Sequence, residues 1–117
     1  MRSQRPAAAR RFRLQHIADA IACIRADTSG GKKAFFRSRV HQQAVMLNLM
    51  IIGEAIKHID AGALATRPEI PWADIAGLRD IVAHKYFHLD LETIWDVVEK
   101  DLAPLAKAVA SLQRLAD

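Results

Sequence analysis

The stretch GLRDIVAHKYFHLD, at positions 77–90, gathers an arginine, an aspartate, two histidines, a lysine and a tyrosine inside an otherwise aliphatic sequence. Such side chains bind phosphate or carry protons. Arg79 and His84 are the pair that suffices for a reaction. An imidazole, with an ordinary pKa of about 6.5, can take or give a proton near neutral pH, an effect worth roughly 10²–10⁴-fold in rate. A guanidinium holds non-bridging phosphate oxygens through its fork of donors and stabilises charge in a transition state. RNA supplies its own nucleophile, the ribose 2′-OH. The pair could therefore cleave RNA without a metal and leave a 2′,3′-cyclic phosphate. The bland alternative is a surface ion pair and a histidine near a helix end.

Helical geometry complicates the pairing. At about 100° per residue, Arg79 and His84 point roughly 140° apart on a straight helix. Asp80 and His84 share one face, and Arg79 and Tyr86 share another. Bringing arginine and histidine to one substrate needs a distorted helix end, a flexible arginine, or a second copy of the helix from another subunit. Two other chemistries fit less well. His84 and His88 have the i, i+4 spacing of metal-binding helices, but no glutamate-bearing zinc motif surrounds them. Neither Cys23 nor any serine sits in a recognisable nucleophile motif. No metal and no cofactor is expected.

The elements that must position these residues read as helices. The first carries Leu14, Ile17, Ile21 and Ile24 at three- and four-residue steps and stops at Asp27-Thr28-Ser29-Gly30-Gly31. A second starts near Ser38, with Val40, Ala44, Leu47, Ile51 and Ile59 among its buried positions. It ends around Asp60-Ala61-Gly62, where glycine can take the left-handed conformation that closes a helix. Gly53 inside it costs up to about 1 kcal/mol against alanine, which points to the close approach of another helix. Glu54 is a carboxylate in an apolar helix and needs an ion pair or hydrogen bonds to a neighbour. Lys57 and His58 read as ordinary helix-end cations; His16, His41 and His58 receive no catalytic part.

The segment Arg67-Pro68-Glu69-Ile70-Pro71-Trp72 is rigid and non-helical. A third helix runs from about Trp72 to Tyr86, and Asp90 is suited to cap a fourth. There Leu91, Trp95, Val98, Leu102, Leu105, Val109 and Leu112 alternate steps of four and three, a heptad seam fit for antiparallel bundle packing or a helical dimer. Pro104 should kink that helix or divide it. With no strand pattern and no repeat, the fold class is all-α, a four- or five-helix up-and-down bundle.

Composition bounds the rest. A chain of 117 residues supports one domain and one core, and 51% hydrophobic residues argues for a globular protein. The longest apolar run, Ala44 to Gly53, is broken by Asn48 and falls far below the roughly 20 residues of a membrane helix. The single cysteine, Cys23, excludes an internal disulfide and fits a reducing cytoplasm. Nothing at the N-terminus resembles a signal peptide. The net charge of +4 is uneven: Arg2, Arg5, Arg10, Arg11 and Arg13 precede any acid, and without them acidic residues outnumber basic ones. Residues 1–11 thus read as a basic arm, a flexible leader or an aid in holding a polyanion, and residues 12–117 as the helical domain.

Four stretches carry a family likeness in their order and spacing: RLQHIADAIACI (13–24), QAVMLNLMIIGEAIKHI (43–59), RPEIPWADIAGLRDIVAHKYF (67–87) and IWDVVEKDLAPL (94–105). From Arg13 to about Ala110 the chain resembles the HepT-like ribonuclease toxins of the HEPN superfamily. Their motif is arginine, a polar residue (often asparagine), three residues, histidine, any residue, tyrosine; it matches Arg79, Asp80, His84 and Tyr86. The resemblance implies a HEPN-like bundle and metal-independent RNA cleavage, with Arg79 and His84 catalytic and Asp80 supporting. It also implies a homodimer whose motifs face one another, a composite site that would resolve the 140° separation.

As partner it implies a minimal nucleotidyltransferase antitoxin, MntA-like, in a type II or type VII-like toxin–antitoxin pair. In some systems that partner transfers AMP to the motif tyrosine, here Tyr86. Bulky negative charge beside Arg79 and His84 would block the phosphate site. Asp80 departs from asparagine; an anion there favours the acid role of the histidine and repels phosphate. A second class of function keeps the same fold and partner: a non-catalytic helical subunit that docks a nucleotidyltransferase.

Overall fold

Helix α1 (Gln4–Asp27) buries the expected stripe, with Leu14, Ile17 and Ile24 at 0% exposure and Ile21 at 3%. The computed structural model describes residues 4–85, 88 and 90–116, and among these the chain is all-α with no strand. Residues 4–11 continue α1, and Arg10 Nε donates to Asp60 Oδ1 at 2.9 Å. At the far end of α1, the hydroxyls of Thr28 and Ser29 donate back to the carbonyls of Ile24 and Ala26. Gly31, at φ 91°, then turns the chain into α2 (Lys32–Arg37), a short helix that the turn-rich composition concealed. Its Phe35 is buried, and Gln42 caps its end by donating to the carbonyls of Phe35 and Phe36.

Helix α3 (Arg39–Lys57) begins as expected, with Ser38 as N-cap accepting from His41 N at 3.2 Å. Its buried face differs from the expected one. Val45, Met46, Leu49, Ile52, Ala55 and Ile56 point inward, whereas Val40, Leu47 and Ile51 are 73%, 57% and 37% exposed and Ala44 is half-buried. The helix is apolar on several sides, so periodicity alone allows more than one stripe. Gly53 decides between them: two residues from Ile51, it points roughly 200° away from it. Seating Gly53 against a neighbour therefore turns Ile51 outward. Ile59 is buried, as expected.

The end of α3 also corrects the expectation. The helix stops at Lys57 with His58 as its cap residue, and Gly62 lies within a single turn, α4 (Ala61–Leu64). Among the described residues only Gly31 has positive φ, so Gly62 closes no helix in a left-handed conformation. Asp60 caps the start of α4 through Ala63 N at 3.2 Å, where a capping carboxylate serves better than glycine.

Helix α5 (Trp72–Lys85) follows the proline segment, and its Ile75 and Val82 reach the core. Asp90 caps α6 (Leu91–Lys100) through Glu92 N at 3.0 Å. The helix then breaks at Asp101, and α7 (Leu102–Ala116) carries Pro104 in its first turn. Proline is tolerated there because first-turn N–H groups have no intrahelical acceptor; one turn further in it would forfeit a hydrogen bond. The proline divides the helix, as expected. Every residue of the heptad seam is in the core or packed on it, so the seam serves packing within the chain. Full burial of a Leu, Ile or Val side chain stabilises by about 1.5–3 kcal/mol. The scaffold is thus α1, α3, α5 and the α6–α7 pair around one core, with α3 packed between α1 and α5.

Candidate active site

A methyl group placed on Gly53 would lie 2.9 Å from the carbonyl oxygen of Ala76, 2.9 Å from Arg79 Cβ and 3.0 Å from Arg79 N. Its missing side chain lets α3 rest directly on the α5 backbone at the arginine. The expected close approach is here, and it joins two helices at the motif. Beyond Gly53, the side chains of Glu54, Lys57 and His58 sit at i, i+3 and i+4 on one face of the last turn of α3.

These residues form one chain of contacts with α5. Arg79 Nη1 donates to Asp80 Oδ1 at 3.0 Å, and Arg79 Nε lies 3.6 Å from Glu54 Oε2. Lys57 Nζ donates to both oxygens of Asp80, at 3.3 and 3.4 Å. Glu54 Oε1 is 3.2 Å from His58 Nε2. The hydrogen bonds from Arg79 first, then from Lys57, hold the Asp80 carboxyl below the usual carboxylate range. Lys57, Arg79 and Asp80 are 38%, 43% and 53% exposed, so water screens each pair and none is a rigid anchor.

His84 is exposed and stands apart from this chain. Its Nδ1 is 2.8 Å from the main-chain oxygen of Asp80, one turn back. A carbonyl only accepts, so Nδ1 carries the ring proton of the neutral imidazole and Nε2 carries the lone pair. Among the described residues Nε2 has no hydrogen-bond partner. One nitrogen is oriented by the helix and the other is open to solvent, which suits a group that exchanges protons with a bound molecule.

The structure therefore brings Arg79 and Asp80 into contact and ties His84 to the backbone of Asp80. Among the described residues no hydrogen bond or ion pair links Arg79 with His84, in keeping with their separate helix faces. Tyr86 lies outside the described residues. Glu54 has the expected partner on a neighbouring helix, although its side chain is half-exposed rather than buried. Lys57 and His58, read as helix-end cations, belong to the same cluster. The signal that finds Lys57 is its position one turn after Gly53, on the face that must meet α5. Among the described residues no three His, Cys, Asp or Glu side chains converge as a cation site. None of the described helices is long and apolar enough to cross a membrane.

The family described as "Ribonuclease HepT-like" matches residues 14–112. A Thermococcus cleftensis protein named "Probable ribonuclease HepT" is 35% identical over 102 residues, 86% of this chain and 93% of that relative. A Methanocaldococcus jannaschii protein, whose name joins gamma-glutamylcyclotransferase to a candidate RNase, is 36% identical over 105 residues. That match takes in 89% of this chain but 47% of the relative, so the chain spans about half the length of this larger protein. A further protein of the same archaeon, named as a candidate RNase, is 36% identical over 75 residues, 64% of this chain and 69% of the relative. No solved structure matches. The match over residues 14–112, with the fold described above, places the chain in the HepT-like ribonuclease family.

Proposed function

We propose that the protein is a metal-independent endoribonuclease that acts as a homodimer. His84 Nε2 takes the proton from a ribose 2′-OH, whose oxygen attacks the adjacent phosphorus while Arg79 holds the non-bridging oxygens. The P–O5′ bond breaks, and the leaving oxygen takes a proton from the imidazolium of His84 in a second copy. The products are a 2′,3′-cyclic phosphate and a 5′-hydroxyl. The observation that carries the reading is the His84 ring: Nδ1 is committed to a carbonyl acceptor and Nε2 is left outward as the proton-transfer atom. The division of Arg79 and His84 between two faces of α5 favours completion of the site by a second copy.

In this reading the protein is the toxin of a toxin–antitoxin pair of type II or type VII-like organisation, working in the cytoplasm. A minimal nucleotidyltransferase restrains it by binding or by AMP transfer to Tyr86. The deciding experiment is cleavage of RNA by EDTA-treated, repurified protein, with end-group analysis. Cleavage is expected in the wild type and lost in His84→Ala, whose thermal midpoint should be unchanged. Persistent cleavage by that variant sinks the role of His84. A wild type that cuts nothing yet binds a nucleotidyltransferase returns the non-catalytic docking subunit.

A further inference from the structure

Two cations from different helices meet at one carboxylate oxygen. Arg79 Nη1, on α5, is 3.0 Å from Asp80 Oδ1, and Lys57 Nζ, on α3, is 3.3 Å from the same atom. An anionic oxygen held between a guanidinium and an ammonium is the environment a non-bridging phosphate oxygen requires. We propose that Lys57 and Arg79 together form the cradle for one phosphate of the RNA, and that the Asp80 carboxylate fills it until phosphate displaces it. This rests on the ribonuclease reading and adds to it a residue of α3 and a built-in competitor.

Three features allow the exchange. Glu54 lies on the other side of the guanidinium, 3.6 Å from Nε, so Arg79 keeps one ion-pair partner when Asp80 lets go of Nη1. His84 is oriented by the main-chain oxygen of Asp80, so its carboxylate can swing away without disturbing the imidazole. Lys57 also borders a hollow of about 310 Å³ with Ala9, His58, Ile59 and Asp60, which leaves room for the neighbouring nucleotide. The depressed pKa of Asp80 is what an anion in a cationic cradle would show. All three groups are well exposed, so phosphate can replace carboxylate without either being stripped of water first.

The test is binding of a single-stranded RNA methylated at every 2′-oxygen, which cannot be cleaved, by the full chain in EDTA over a range of salt concentrations. Each phosphate contact contributes roughly 0.7 to the slope of log affinity against log salt for a single strand. Lys57→Ala should weaken binding several-fold and lower that slope by about 0.7, Lys57→Arg should restore it, and Asp80→Asn should bind several-fold tighter at low salt. Lys33→Ala, which removes equal charge on α2 before the start of α3, should stay within about twofold of wild type. A Lys57→Ala protein with wild-type slope, or an Asp80→Asn protein that binds no tighter, overturns the cradle while cleavage of ordinary RNA leaves the ribonuclease reading standing. A wild type that neither binds the methylated RNA nor cleaves the unmodified one overturns both.

Discussion

The seam on α7 and the last turn of α3 hold the molecule by opposite means. On α7, Leu102, Leu105, Val109 and Leu112 are all under 5% exposed and belong to the apolar core. On α3, Glu54, Lys57 and His58 are at least a third exposed and are held by ion pairs that water can replace. Apolar burial is strong and indifferent to which solute arrives. Exposed ion pairs are weak, but they order a constellation and yield to a competing anion. The first kind lies where shape must persist and the second at the candidate site.

That contrast can be broken from either side. The largest effect is expected in the seam: Leu105→Ala should lose about 2–5 kcal/mol in chemical denaturation while each folded molecule keeps its full cleavage rate. A lower rate per folded molecule would mean that the seam reaches the site. Gly53→Ala forces its Cβ onto α5 backbone that cannot yield cheaply, and should cost about 1–3 kcal/mol. Here cleavage should fall beyond the loss of folded protein, because the collision is at Arg79 itself. Asp60→Ala removes the cap of α4 and the partner of Arg10, for a loss of about 0.5–2 kcal/mol measured by thermal melting. A fall in RNA cleavage beyond the loss of folded protein would mean that the hollow beside Lys57, which Asp60 lines, meets the RNA.

The smallest effect is a pH dependence. Arg79 and Lys57 depress the folded-state pKa of Asp80 below its ordinary value of 3.8. The stability it contributes is therefore present above that value and lost as pH falls through the folded pKa. The difference in melting temperature between wild type and Asp80→Asn should be constant from pH 7 to about pH 5 and shrink only in more acid solution. A difference that varied around neutrality would point to another titrating group in the cluster.

Much of the scaffold was legible because its signals are local. Ser38 and Asp90 cap helices that follow them directly, and Pro104 divides α6 from α7 within three residues of itself. The face of α3 was not legible from periodicity, since apolar residues occupy too much of its circumference. Gly53 held the answer, but only when combined with the angle to Ile51. Helices α2 and α4 are too short to show a period, although Asp60 caps α4 locally and Gln42 caps the end of α2 from the first turn of α3. At the candidate site, Arg79, Asp80 and His84 are the residues that type and spacing single out. Lys57 is not, because its contact with Asp80 depends on a helix 23 residues further along the chain lying against it.

Trp72 ties the segment before α5 to the start of that helix, since its indole N–H is shared by the carbonyls of Leu64 at 3.0 Å and Arg67 at 2.9 Å. The other indole, Trp95, sits on α6 beside Phe35 and donates to Glu99. The two fluorophores therefore stand on different helices in unlike surroundings. With Trp95→Phe, emission would come from Trp72 alone, about two helical turns before Arg79. Its colour and intensity would then report the anchoring of the motif helix in real time, in a protein that needs no attached dye.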